Sequence, residues 1–320
     1  MLVIGGGLVG LSTAHALSRL APGTRVVVLE QEPGPATGHH GGVVHSGVIH
    51  SGVIHSGIHH RPGSLAARYA VRGAAEMVRF CAEHGIPHEV TGKLIVATER
   101  AELPRLHALV QRGRRHGIPV RELGPAQIRE YEPEVRALAA IRVATSGVVD
   151  RARVAEQLAR SSGAEIRYGA RAERIGRRRG PGPVPGGRVS VRTASGEVLR
   201  GKVLVNCAGA RADRVARLAG DEPGVRLVPV TGGVPVRGDG GGHGPVRPSP
   251  GRGLVQVVPD PGRPFPGVRA VLPDGTPVDD VLVREADGVV HVLDGGVPGV
   301  AGVLPLGGAV GRRVVRMLRG

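Results

Sequence analysis

Six residues near the start, Gly5-Gly6-Gly7-Leu8-Val9-Gly10, have the types and spacing to hold a phosphate. They satisfy G-x-G-x-x-G, a pattern in which each glycine has its own task. Gly5 permits a tight turn, Gly7 lets the backbone approach a pyrophosphate, and Gly10 lets a helix pack closely on a strand. Glu30 follows twenty positions after Gly10 and offers a carboxylate to a ribose hydroxyl, while its charge disfavours a 2′-phosphate. These residues together point to dinucleotide binding. They do not choose between FAD and NAD.

That chemistry requires a strand, a sharp turn and a helix in immediate succession, and the flanking sequence supplies them. MLVI reads as a short buried parallel strand. LSTAHALSRL then places Leu11, Ala14 and Leu17 at helical spacing, and RVVVLE is a second strand ending in Glu30. The helix N-terminus adds free N–H groups for phosphate charge. Further on, GVVDRARVAEQLARSSGAEIRYGARAERI reads as a loop, a helix from about residue 151 and a strand. VSVRTASGEVLRGKVLVNCAG gives a hairpin and then an apolar strand that runs into Ala208 and Gly209, small residues suited to a cofactor-facing turn.

This order is the layout of two-domain flavoproteins. The fold expected is α/β, with a Rossmann-like FAD-binding domain of the glutathione-reductase type and a second, β-rich substrate domain. The first would be assembled from residues 1–80, 145–222 and 267–320, the second from 81–144 and 223–266.

Composition narrows the function classes. With 320 residues and 41% apolar side chains, the chain has material for about two domains. The formal charge of +16 invites a nucleic-acid reading, but Lys93 and Lys202 are the only lysines, the arginines are scattered, and stacking aromatics are nearly absent. The dense cluster Arg177-Arg178-Arg179 adjoins GPGPVPGG and reads as an exposed loop. An arginine excess still suits an anionic small substrate. Two cysteines, Cys81 and Cys207, form neither a disulfide framework nor a zinc pattern. The N-terminus lacks signal-peptide features and no apolar run reaches membrane-spanning length, so a cytoplasmic protein without a nucleic-acid partner is expected, with peripheral membrane contact left open.

Seven of the fourteen histidines lie between residues 39 and 60, where HSGVI is written twice and begun a third time. A five-residue step puts His45, His50 and His55 on alternating faces of a strand and scatters them around a helix. No Asp, Glu or Cys lies within the repeat to complete a metal site. No metal is expected, and the repeat reads as a tandem duplication inside a loop.

The chain resembles the FAD-dependent D-amino-acid-oxidase superfamily and, within it, the L-2-hydroxyglutarate oxidase/dehydrogenase branch. GGGLVGLSTA, TGHHGGVVHSG, GIHHRPGSLAARYAV, FCAEHGIPHEVTGKLIVAT, ELPRLHALVQRGRRHGI, SGVVD, VLVNCAGARADRVARLAG and VPDPGRPFPGV carry the likeness. So do GVRAVLPDGTPVDD and HVLDGGVPG nearer the end. GKLIVAT with ELPRL is more diagnostic than the glycine fingerprint. The resemblance implies an FAD enzyme that oxidises L-2-hydroxyglutarate to 2-oxoglutarate by hydride transfer to flavin N5, with oxygen or a quinone pool taking the electrons. It also implies roles for residues. Gly38 and His39 of TGH, with the glycine fingerprint, Ala208 and Gly209, would line the flavin site; His39 or His45 would act as base or orient substrate; Arg269, in GVR, would bind a substrate carboxylate.

Several positions depart from the branch pattern. The HSGVI loop is ten residues longer, and a tyrosine pair at its end is His59-His60. The stretch Val228 to Pro235 lacks an arginine and two tyrosines of the pattern, and after Val268 the chain passes directly to Arg269, as though two separate G-V segments had been fused. Residues 237–252 are low-complexity. Asp294 puts a carboxylate where an amide is expected, and Pro305 is expected to break or kink the closing helix. Lys93 is either a substrate cation or, more commonly for such a residue, a solvated strand-edge charge. Asp213 and Arg214 read as polar groups at a helix start, and Cys207 as a small buried residue rather than a nucleophile. Two alternatives stay open: an FAD-binding relative that turns nothing over, and a flavin oxidase for another small 2-hydroxy or 2-amino acid.

Overall fold

The computed structural model describes residues 1–34, 52–178, 188–230, 254–259, 267–294 and 299–319. Strand β1 (Leu2–Ile4) is buried at every position, as a central strand covered on both faces must be. It pairs in parallel with β2 (Val27–Leu29) on one side and β13 (Leu204–Asn206) on the other. Beyond β2 lies β9 (Glu165–Arg167); beyond β13 come β18 (Val289–Asp294) and then antiparallel β17 (Leu282–Ala286). One sheet is thus assembled from widely separated stretches of chain.

The period-two alternation of its strands assigns each side chain to a layer. Val3, Val28, Val205 and Val290 face one core, closed by Ala14 and Leu17 of α1 (Leu8–Leu20) and by Leu306, Val310 and Val314 of α7 (Val303–Arg319). Leu2, Ile4, Val27, Leu29 and Leu204 face the other side. There they meet Val189 and Val191 of an antiparallel meander, β10 (Ala172–Arg177), β11 (Val189–Thr193) and β12 (Val198–Gly201). Burying each such aliphatic side chain contributes roughly 1.5–3 kcal/mol. Helix α5 (Arg151–Ser162), capped by Asp150, packs beside α1. The short α6 (Ala212–Leu218) follows β13, with Asp213 in its first turn as expected.

The first and last helices touch closely. Ser12 Oγ donates to Val303 O at 2.9 Å, and a Cβ at Gly307 would fall 2.5 Å from Ser12 Oγ. Pro305 neither breaks nor kinks α7, contrary to expectation. It lies in the first turn, where no intrahelical partner awaits its missing N–H.

A second sheet is centred on β5 (Lys93–Ala97), with β15 (Leu254–Val257) parallel on one edge and β7 (Ala139–Val143), then β6 (Val120–Leu123), antiparallel on the other. Ile95, Ala97, Ile141 and Val143 pack under α3 (Leu103–Arg115), while Leu94, Val96 and Ala140 pack against Ile128 of α4 (Pro125–Tyr131). A small sheet joins β3 (Val53–Ile54), β8 (Gly147–Val149) and β4 (His88–Glu89). Helix α2 (Leu65–Glu83) begins at Ser64, whose side chain accepts from Ala67 N; its Leu65 and Ala66 N–H groups donate to Asp280.

Strands β14 (Arg226–Val230) and β16 (Gly267–Val271) form an antiparallel pair. The Val268–Arg269 junction therefore falls inside one continuous strand. Asp294, the carboxylate that replaces an expected amide, accepts from Ala270 N at 2.9 Å and ties β16 to the end of β18. Arg177 is not in an exposed loop: it ends β10 with its side chain 5% exposed and paired with Asp221. Arg179, residues 237–252 and residues 45–51 of the histidine repeat lie outside the described residues.

Candidate cofactor and substrate site

The glycine turn is built by close approach. Gly5 adopts φ +106°, and a Cβ there would fall 2.3 Å from Cys207 O. At Gly10 a Cβ would fall 1.9 Å from Gly5 O, so any side chain would push α1 off the loop. Gly7 is the N-cap, with no side-chain cap and no acidic residue in the first turn of α1. The N–H groups of that turn are thus left for an anion. Glu30, just past β2, is 7% exposed. Its Oε2 accepts Gly6 N–H at 2.7 Å and its Oε1 accepts Glu32 N–H at 3.0 Å. Each oxygen keeps a second lone pair for a ribose hydroxyl. A backbone cradle that admits no Cβ, next to an oriented carboxylate, fits the pyrophosphate and ribose of an adenine dinucleotide such as FAD.

The turn after β13 closes the cradle. Asn206 Oδ1 accepts Ala208 N–H at 3.2 Å, and Asn206 Nδ2 lies 2.7 Å from Ala212 O and 3.0 Å from His291 Nδ1. The other nitrogen of His291 lies 2.9 Å from Asp221 Oδ2. Asp221 is also bound by Arg177, which donates to Ala219 O at 3.0 Å. Burial alone would raise Asp221, but the bonds from Arg177 and His291 outweigh it and hold the carboxyl below its ordinary value. Cys207 is buried, and burial pushes its thiol up to about 12, so it is inert packing, as expected.

A second group of polar residues gathers on the β5 sheet. Lys93 is 4% exposed rather than solvated, which corrects the strand-edge expectation. Its Nζ donates to Gln256 Oε1 at 2.8 Å across the β5–β15 pair and lies 3.4 Å from His59 Nε2. The same His59 nitrogen is 3.3 Å from Gln256 Oε1. With Lys93 protonated, His59 Nε2 serves as acceptor; with Lys93 neutral, it is free to donate to Gln256. Desolvation holds Lys93 down to about 8, and burial followed by the Lys93 charge holds His59 well below its ordinary value. Gln256 Nε2 is buried without a hydrogen-bond partner among the described residues.

His60 adjoins this group. Burial first, then the charges of Arg269 and His116, bring it down to about 4. Arg112 donates to His59 O at 2.9 Å, and His116 Nε2 donates to His60 O at 3.0 Å. Arg269, on β16, thus faces the same neighbourhood as His60. Lys93, Arg112 and Arg269, from three separated segments, lie around the two histidines, with Asp280 opposing them at His60.

Gly5, Gly7, Gly10, Glu30, Ala208 and Gly209 are brought together in the first group. Gly38, His39 and His45 lie outside the described residues. His59, Gln256, Asn206, Asp221 and His291 carry geometry that the sequence did not single out. His59 stood out only as a replacement for tyrosine, and the others had no signal of their own. Among the described residues, no group of three or more His, Cys, Asp or Glu side chains could hold a metal ion.

Comparison with known proteins decides the family. Residues 1–253 match the family model described as FAD dependent oxidoreductase, DAO. The chain belongs to this family. Among its relatives, the L-2-hydroxyglutarate dehydrogenase of Escherichia coli (strain K12) is 34% identical over 273 residues, 83% of this chain and 59% of that protein. The mitochondrial L-2-hydroxyglutarate dehydrogenase of Bos taurus is 37% identical over 279 residues, 84% of this chain and 57% of that protein. This DAO-family chain therefore spans somewhat less than two thirds of the length of these curated relatives. Among solved structures, dithionite-reduced L-alpha-glycerophosphate oxidase from Mycoplasma pneumoniae, with FAD bound, is similar at TM-score 0.72 and 21% identity, covering 100% of this chain and 94% of that one. Glycine oxidase from Geobacillus kaustophilus follows at TM-score 0.68 and 19% identity, covering 99% and 94%. These likenesses establish the α/β fold of FAD-dependent oxidoreductases. Among the described residues, no helix is long and apolar enough to cross a membrane.

Proposed function

We propose that the chain binds FAD in the Gly5–Gly10 cradle and oxidises L-2-hydroxyglutarate to 2-oxoglutarate. The observation that carries the substrate class is the buried Lys93–Gln256 pair with His59, His60 and Arg269 around it. A dicarboxylate needs at least two cationic or donor groups in a desolvated place. Lys93 and Arg269 supply charge, and Gln256 Nε2 supplies a buried donor that otherwise goes unpaired. FAD, when bound, supplies the acceptor for the C2 hydride.

His60, held down to about 4, stays neutral at pH 7. So low a value makes it a weak base, better suited to orienting the hydroxyl than to removing its proton. The base is assigned instead to His39 or His45, in the sequence between β2 and β3. On this reading residues 1–80, 145–222 and 267–320 form the FAD domain and the rest a reduced substrate domain, in a cytoplasmic protein that passes electrons to oxygen or a quinone pool.

A second reading, an FAD-binding relative without turnover, is favoured by the lack of the branch pattern's arginine and two tyrosines between Val228 and Pro235. One experiment separates the two. The visible spectrum of the purified chain is recorded, and L-2-hydroxyglutarate is then added without oxygen. Bleaching of a flavin band is expected. A flavin band that persists supports the second reading, and absence of flavin overturns both.

A further inference from the structure

A chain of hydrogen bonds runs from the cofactor-facing turn through β18 to Asp221, just after α6, and to Arg177 at the end of β10. Ala208 N–H is held by Asn206 Oδ1, Asn206 Nδ2 by His291 Nδ1, and His291 Nε2 by Asp221, which Arg177 anchors. The turn in question is the one whose Cys207 carbonyl lies against Gly5. We propose that His291 and Asp221 are positioning residues for the cofactor, acting through Asn206 to lock the Cys207–Gly209 turn onto the phosphate loop. The inference rests on FAD occupying that cradle.

The donor count admits one arrangement. Asn206 has two amide hydrogens, and both have acceptors, Ala212 O and His291 Nδ1. Its Oδ1 is taken by Ala208 N–H. Rotating the amide would set donor against donor at Ala208 and leave Ala212 O without its partner. His291 must then accept at Nδ1 and donate Nε2–H to Asp221, the neutral tautomer. Burial favours that form, lowering His291 below its ordinary value although Asp221 pulls the other way. The charged groups facing His291 are Asp221, Arg177 from β10 and its strand neighbour Arg284 from β17. A proton on Nδ1 would confront Asn206 Nδ2–H directly and force the amide to turn, releasing Ala208.

A cofactor-positioning role therefore makes FAD affinity depend on the protonation of His291, which a purely structural role does not. FAD binding to the apoprotein is measured by fluorescence titration between about pH 7.5 and 5.5, with far-UV circular dichroism recorded at each pH. His291→Gln offers an acceptor to Asn206 and a donor to Asp221 but does not titrate; His291→Leu offers neither. The wild-type dissociation constant is expected to rise as pH falls through the titration of His291, by at most about tenfold per pH unit, as one linked proton allows. His291→Gln should match wild type near pH 7.5 and then stay flat, and His291→Leu should bind about tenfold more weakly throughout. If His291→Leu does not fold, the His291→Gln profile decides alone. A His291→Gln profile as steep as wild type, or wild-type affinity in a folded His291→Leu, overturns this inference and leaves FAD binding standing. A wild-type chain that takes up no FAD overturns the cofactor reading and this inference together.

Discussion

The carboxylate of Glu30 lies 2.7 Å from the backbone N–H of Gly6. The residue that follows the second strand and the loop that follows the first are therefore one hydrogen-bonded unit. A sequence reading gives Glu30 a ribose to hold; the structure gives it a second task, holding the loop that takes the phosphate.

The two tasks separate by mutation. Glu30→Ala leaves the Gly6 N–H unpaired, a loss of about 1–3 kcal/mol, and removes the ribose acceptor. Glu30→Gln keeps an acceptor for Gly6. We expect FAD affinity to fall at least tenfold in Glu30→Ala and less in Glu30→Gln, read by flavin titration alongside the apoprotein melting midpoint.

Gly10→Ala tests the packing of α1. A Cβ there would fall 1.9 Å from Gly5 O, far inside contact distance, and the atom it meets is backbone. Either α1 moves or the loop does. The expected product is a chain without bound flavin and with a lowered melting midpoint. Flavin retained at wild-type occupancy would show that the loop yields without cost.

Lys93 gives a pH signature with two opposite signs. Its folded value is about 8, against an ordinary 10.5, because burial disfavours the charge. Between these values the unfolded chain binds more protons than the folded one, so this group makes stability rise with pH across that window. The wild-type melting midpoint, measured relative to Lys93→Met, should climb from about pH 8 towards pH 10. Over the same range the cation is lost, and KM for L-2-hydroxyglutarate should rise in wild type. In Lys93→Met KM should be high and flatter with pH.

Arg269 is tested by Arg269→Lys and Arg269→Gln. If it holds a substrate carboxylate, removing the charge costs about 2–5 kcal/mol of substrate binding. KM is expected to rise at least tenfold in Arg269→Gln and less in Arg269→Lys, with FAD affinity unchanged. A variant with wild-type KM would assign the arginine to the surface.

The parts legible in the sequence are those whose partners are near along the chain. Gly5 to Gly10, the α1 pattern and Glu30 all belong to one strand–turn–helix–strand unit, and each was placed by local rules. Arg177 misled because its neighbours are arginine, glycine and proline, while its partner Asp221 is 44 positions away. Lys93 misled in the same way: a lysine next to Leu94, Ile95 and Val96 reads as an edge charge until Gln256, 163 positions on, is paired with it. Pro305 was judged by propensity, which counts against a proline anywhere in a helix and does not see that it occupies the first turn. Histidines stand out where they repeat, yet His59 and His291 matter through distant partners that no spacing rule reaches.

The contact between Ser12 and Val303 orders events in time. The helix whose N-terminus would meet the pyrophosphate lies against a helix that leaves the ribosome almost three hundred residues later. Until α7 is made, the flank of α1 that it packs on lacks that cover, and the core the two helices share stays open on one side. Completion of the helix that carries the nucleotide loop thus waits on a segment made almost three hundred residues later, so cofactor capture is expected to follow synthesis of α7 rather than of the loop itself.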